Sequence, residues 1–322
     1  MCKRRLRRLA SSISVTVASI VLTACELEEI TLVDVEDVVI AEVYVNLMPD
    51  PTGNEIRAFL HRTVGLADPD VSDLLGAVLT VRRTDGLTFV LPNDATERCL
   101  ESSPVEEPGA CFLSNQPETA LLGPGDVLEV QIDLVGGGRL TGATRIPGGF
   151  TLDGVPETCR IDPDMLMTVE WSRSDGAWAY LNETSIEGLP EALLPEGIRV
   201  EEESLYLLGI SVSDDDTEIV FPSEFGVFNR LDLDQELAVR LQRGLPEGAF
   251  AEVTITAVDQ NYVNWARGGS FNPSGQVRVP SLRGEGSGVF GSTFGHGFNV
   301  VASGDSGIAL PICPRQVAPP PS

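Results

Sequence analysis

The residues whose types could do chemistry are few, and their spacing argues against most catalysis. Ser306 lies between glycines in Gly304-Asp305-Ser306-Gly307, the form of a hydroxyl nucleophile loop. A nucleophilic serine needs a histidine base steadied by a carboxylate. Only two histidines exist, His61 within a strand pattern and His296 ten residues before Ser306, so this segment reads as a turn. Gly284–Gly291 is rich in glycine but lacks the Gly-Lys-Ser/Thr ending of a phosphate loop, and its glycines fit turns or close backbone packing. Asp214, Asp216 and Glu218 are the candidate cation ligands, because Ca²⁺ takes six to eight hard oxygens. The alternative for that run is a solvated turn. With 48 acidic residues, pairs of carboxylates for glycoside hydrolysis are always available and carry no signal.

Of the aromatics, Trp171 and Trp178 are assigned to a core. Tyr262 and Trp265, three apart on an expected helix over Gln260–Arg267, are the candidate ligand or partner contacts. Cys99, Cys111, Cys159 and Cys313 remain once Cys2 and Cys25 are set aside, and an even count in an exported chain reads as disulfides. Cys99 with Cys111 would pin a polar loop, leaving Cys159 with Cys313. No Cys-x-x-Cys pair exists to suggest zinc, and no cofactor is expected.

The address lies at the N-terminus. Lys3, Arg4, Arg5, Arg7 and Arg8 precede an apolar run from Leu9 to Leu22, which ends in Leu22-Thr23-Ala24-Cys25. A basic start, a short apolar stretch and small residues at the cut make a signal peptide over residues 1–24, too short for a stable membrane span. Leu-Thr-Ala-Cys resembles the lipobox of bacterial lipoproteins. That resemblance implies a diacylglycerol on Cys25 and, with Glu26 following, an outer-membrane location, periplasmic or surface-facing. Losing residues 1–24 leaves 17 basic against 48 acidic residues, a net −31. Such a surface repels phosphate backbones, so no nucleic-acid partner is expected.

Strands of alternating polarity must position these residues. Val39, Ala41, Val43, Val45 and Leu47 share one face, and Leu128, Val130, Ile132 and Leu134 another. Further runs lie at Ile56–Leu60, Ala77–Val81, Leu87–Leu91, Leu140–Ile146, Met167–Trp171, Leu205–Val212, Leu237–Leu241 and Val253–Ala257. Turn signals such as Asp85-Gly86 and Asp175-Gly176 divide them, and Asp68–Leu75 has a second helical pattern. The reading is all-β: two tandem β-sandwiches of immunoglobulin, fibronectin or transthyretin type, at 25–147 and 148–316, with a disordered tail at 317–322.

Residues 250–291 run through Val253–Val258, Asp259-Gln260-Asn261-Tyr262, Trp265, Phe271-Asn272-Pro273, Val277–Pro280 and the Gly284–Gly291 stretch. With the lipobox and the N-terminal sandwich, this pattern resembles a family of uncharacterised outer-membrane lipoproteins, a domain of unknown function found in Bacteroidetes and their relatives. Its genes often lie beside those of TonB-dependent receptors. Members have Asn before the glycines, where this chain has Leu282-Arg283. The resemblance implies an accessory lipoprotein anchored through Cys25, with a TonB-dependent receptor or other envelope protein as partner, and supplies no catalytic residues. The expectation is a non-enzymatic binding protein; the alternatives are a hydrolase of envelope or environmental polymers and a Ca²⁺-dependent adhesin.

Overall fold

The computed structural model describes residues 37–63, 71–100, 108–115, 117–211, 213–223, 235–267, 278–304 and 309–319. Alternation drives the first strand. In β1 (Val39–Leu47) every odd-numbered residue is buried and every even one half-exposed, the period-two signature of a sheet with one wet face. Its partner β2 (Glu55–Arg62) pairs antiparallel, placing Tyr44 opposite Arg57 and Asn46 opposite Glu55. The remaining strands are β3 (Val78–Arg83), β4 (Thr88–Leu91), β5 (Asn93–Asp94), β6 (Gly109–Ser114), β7 (Val127–Asp133), β8 (Arg139–Arg145) and β9 (Thr158–Ile161). They are followed by β10 (Leu166–Glu170), β11 (Ala179–Glu187), β12 (Ser204–Ile210), β13 (Glu218–Phe221), β14 (Phe250–Val258), β15 (Arg283–Gly284), β16 (Ser287–Ala302) and β17 (Gln316–Val317).

The described strands form three sheets. One has nine strands, ordered β12-β11-β14-β16-β1-β2-β6-β5 with β9 beside β16. The second runs β15-β8-β7-β3-β4, and the third β13-β10-β17. Inward residues of the nine-stranded sheet (Val43, Val45) and of the second sheet (Leu79, Val130, Leu140) join one apolar core. The all-β, sandwich-like class expected from the alternation is what the chain adopts.

The expected division at residues 147/148 does not separate the sheets. β1 pairs in parallel with β16, Val43 lying opposite Phe290, so strands from both halves share one sheet. Residues 37–322 accordingly cluster as one unit. The long strand β16 is the element the sequence reading missed, although its first half overlaps the Gly-rich stretch, whose glycines were expected to serve turns or close backbone packing. Gly288 shows why glycine stands there. Its φ is +142°, and a Cβ would lie 1.9 Å from the Ala41 carbonyl oxygen. The residue is there for close backbone approach to β1.

Three smaller departures have local causes. Leu237–Leu241, read as alternating, lies within a helix over Gln235–Leu241 that buries Leu237, Arg240 and Leu241. That i, i+3, i+4 spacing fits one helical face, and Gln, Glu, Leu, Ala and Arg are good helix formers. The helix expected from Asp68 is one turn within the described residues, Ser72–Leu75. Val317, assigned to a disordered tail, pairs with Leu166.

Candidate functional site

Both expected disulfides form. Cys99 and Cys111 have Cα atoms 5.7 Å apart, and Cys159 and Cys313 4.9 Å apart. Cys99 comes from a short helix, Thr96–Leu100, and Cys111 from β6, so the first bridge closes the loop between them. The second ties β9 to the segment before β17, across 154 positions.

The acidic turn is partly offset by one arginine. Asp214 pairs with Arg173 in a short contact, Asp215 sits 3.0 Å from the same guanidinium, and Asp216 accepts from the Ser213 amide at 3.1 Å. Glu218 lies on β13 opposite Glu170. No group of three His, Cys, Asp or Glu suited to a metal gathers among the described residues. Asp214, Asp216 and Glu218, the expected cation ligands, are accordingly not drawn into one such group; the Arg173 guanidinium pairs with Asp214 and Asp215 instead.

The helix over Gln260–Arg267 forms as expected, but it turns its aromatics inward. Trp265 is only 6% exposed, and the Arg278 guanidinium covers its ring at 4.7 Å from the centroid. Tyr262 packs against Tyr44 of β1, ring centroids 5.3 Å apart. Neither presents the open aromatic contact surface expected of it; Phe271 lies outside the described residues. Trp171 is in the core and meets Tyr180 edge to face, whereas Trp178 is 49% exposed rather than buried. Trp178 stands at the end of the Asp175-Gly176 turn, just before β11. His61 and His296 also lie apart: His61 faces Glu42 at 3.9 Å, while His296 packs against Phe150. Asp305 and Ser306 fall outside the described residues.

What this helix does build is one wall of a groove. Asp259 caps it, its Oδ1 accepting from the Tyr262 amide at 2.9 Å and the Ser292 amide at 3.2 Å. Its Oδ2 accepts from the Thr144 hydroxyl at 2.6 Å, so one carboxylate joins the helix, β8 and β16. Burial, the largest influence, pushes this carboxyl above its ordinary value even though those donors favour the charged form. Asn261 then donates to the carbonyls of Ala143 and Phe290, each at 2.8 Å, fixing the first turn over β8.

The groove encloses about 770 Å³, within the range of small-molecule sites. Its floor is the outward face of β3, β7 and β8, with Thr80, Gln131 and Thr141 and the cross-strand ion pair Arg82–Glu129 at 2.8 Å. Gln260, Asn261 and Asn264 form the helix wall, and Val279, Ser281 and Arg283 the other. Gly142 lets that second wall approach, since a Cβ there would meet the Leu282 side chain at 2.7 Å. Among the described residues Glu129 is the only carboxylate lining the groove and Arg283 adds a second guanidinium, so this lining carries local positive charge in an acidic chain. Amides, hydroxyls and guanidinia suit hydrogen bonding to a polar ligand. A pair of carboxylates, which acid–base cleavage of a glycosidic bond requires, is not among these side chains.

Sequence reasoning missed the groove for a physical reason. Thr80, Arg82, Glu129, Gln131 and Thr141 occupy the outward positions of their strands, where polarity signals only solvent. Nothing local shows that residues 260–264 and 279–283 fold against them.

No family model matches the chain, and no curated protein does. Solved structures match at low similarity. Clostridium thermocellum CbhA fibronectin(III)-like modules share 9% identity over 82% of this chain and 90% of that one, with a TM-score of 0.19. The complex of Dpr11 IG1 with DIP-gamma IG+IG2 shares 9% over 81% and 99%, also at 0.19. Trypsin activated alpha-2-macroglobulin from Escherichia coli shares 10% over 70% of this chain and 15% of that chain, again at 0.19. Superposition at this level carries no argument about activity or ligand.

Proposed function

We propose that this chain is a non-enzymatic binding protein, held at the outer membrane of a bacterial envelope by acyl chains on Cys25 and acting as an accessory to an envelope partner. The groove carries the binding half of the reading: it is a formed, polar cavity whose lining has donors and acceptors but one carboxylate. The two disulfides support the envelope half, because such bonds persist in oxidising compartments. The acidic surface supports a protein or polar small-molecule partner over nucleic acid. Among the described residues no helix is long and apolar enough to cross a membrane, and in this reading the lipid supplies the attachment.

The reading is tested by cross-linking in native membranes, with a photoreactive residue at Thr141 in the groove floor. Recovery of an envelope receptor, such as a TonB-dependent one, in stoichiometric amount is the expected result. Turnover of a defined polysaccharide or peptide, abolished by Glu129→Gln, would overturn the non-enzymatic reading.

A further inference from the structure

We propose that the groove between β3-β7-β8 and the Gln260–Arg267 helix binds an acidic oligosaccharide, a few sugar rings carrying carboxylates. The inference rests on the reading of the chain as a binding protein and names the class of its ligand.

Sugar rings present neighbouring hydroxyls, each able to donate and accept. Side-chain amides and carboxylates match them, because one planar group can meet two hydroxyls. Gln260 and Asn264, on one helix face, and Thr80 and Thr141 on the floor make no side-chain hydrogen bond to another described residue. Asn261 is different: its amide nitrogen is used twice, which holds its oxygen in place as an acceptor. The wall is thus preorganised while its neighbours' donors and acceptors stay available.

The charges select the anionic member of that class. Arg82 is balanced by Glu129, whereas the Arg283 guanidinium has no carboxylate or hydrogen-bond partner among the described residues, the residue's backbone alone being held by pairing with Thr141 of β8. Around it the chain carries 48 acidic residues against 22 basic ones. Long-range attraction of an anion is therefore absent, and a carboxylate must be recognised by contact. A guanidinium does this with paired N–H donors.

An acidic peptide fits less well. Peptides dock on sheets by adding a strand to an edge, but β3, β7 and β8 are each paired on both sides. Along β3 and β7 the backbone groups are already used, and the outer edge of β8 is taken at Leu140 and Thr141 by β15 and at the Ala143 carbonyl by Asn261. The lining also offers little apolar surface for peptide side chains, Val279 and Pro280 being the main contributors. The single lining carboxylate further favours retention of the sugar over cleavage.

Calorimetric titration of the full mature chain with a short oligogalacturonate tests this, beside a neutral galactan oligomer of equal length and an oligoglutamate peptide of equal charge. Saturable binding of the oligogalacturonate is expected, at least tenfold tighter than either control. Arg283→Gln should weaken it about tenfold, the worth of roughly 1.4 kcal/mol, and Asn264→Ala severalfold. The Arg283 guanidinium is exposed and unpartnered among the described residues, so the R283Q protein should unfold at the parent's denaturant midpoint. No binding of the oligogalacturonate, equal binding by R283Q, or tighter binding of the peptide would each overturn the assignment. If the sugar fails while cross-linking still recovers an envelope receptor, this ligand class falls and the binding reading stands. If the sugar is cleaved instead of held, both fall.

Discussion

Asp259 is 5% exposed and accepts hydrogen bonds from Thr144, Tyr262 and Ser292. Because burial raises its carboxyl above the usual 3.8 in the folded chain, the folded state holds this proton more tightly than the unfolded one. Its contribution to stability is then greatest at low pH, and declines as pH rises from about 3.8 through the raised value. Asp259→Asn should flatten that decline, which urea midpoints measured across the acid range would show; an unchanged slope would count against this role. Arg240 is the second residue with large consequences. It is 4% exposed, with Nε on both Glu196 oxygens at 2.7 and 2.9 Å, one terminal nitrogen on Asp164 at 2.7 Å and the other on the Gly244 carbonyl. The Arg240 hydrogen bond holds the Glu196 carboxyl below its ordinary value against a smaller effect of burial. Glu196→Gln leaves the buried guanidinium short of a charge partner and should cost about 2 to 3 kcal/mol in urea unfolding. A loss under about 0.5 kcal/mol would show that water substitutes freely.

At the scale of elements, the parallel pairing of β1 with β16 joins the chain's two ends into one sheet. Gly288→Ala places a Cβ against the Ala41 carbonyl at a φ only glycine adopts readily, so it should cost about 3 kcal/mol or more, or prevent folding. Thermal unfolding decides between that and a tolerant, shifted strand. The two disulfides differ in what they close. By the loop-entropy model, removal of Cys99–Cys111 should cost about 3 kcal/mol and removal of Cys159–Cys313 about 5. Paired Cys→Ala variants in denaturant would give that order, and the reverse order would mean native-state strain outweighs loop length. The same elements show what was legible in the sequence. β1, β7 and the Gln260–Arg267 helix were readable because their period is local and their turns are marked. The cysteine pairing was readable because the chain offers few alternatives. β16 was not, since its glycines serve contacts with a strand 247 positions away, as Gly288 with Ala41, and the groove was not, since outward polar residues look alike with or without a wall opposite. The helix over Gln235–Leu241 was misread because its apolar residues also satisfy a short alternation.

Taken whole, residues 37–322 form one sandwich-like unit with a polar groove on one outer face and a strongly acidic composition. Among its described residues no helix is long and apolar enough to cross a membrane, and its acidity repels anionic headgroups. The proposed role therefore depends on the acyl chains at Cys25, each buried CH₂ of which contributes roughly 0.8 kcal/mol, so that two chains hold durably. Cys25→Ser should release the protein from the membrane fraction, as immunoblotting of fractionated cells would reveal. The most direct test is the mass of the N-terminal peptide from protein purified out of its own cells. The account predicts cleavage after Ala24 and a Cys25 heavier by a diacylglyceryl group. A mature chain that begins elsewhere, or a Cys25 that carries a bare thiol, would contradict it.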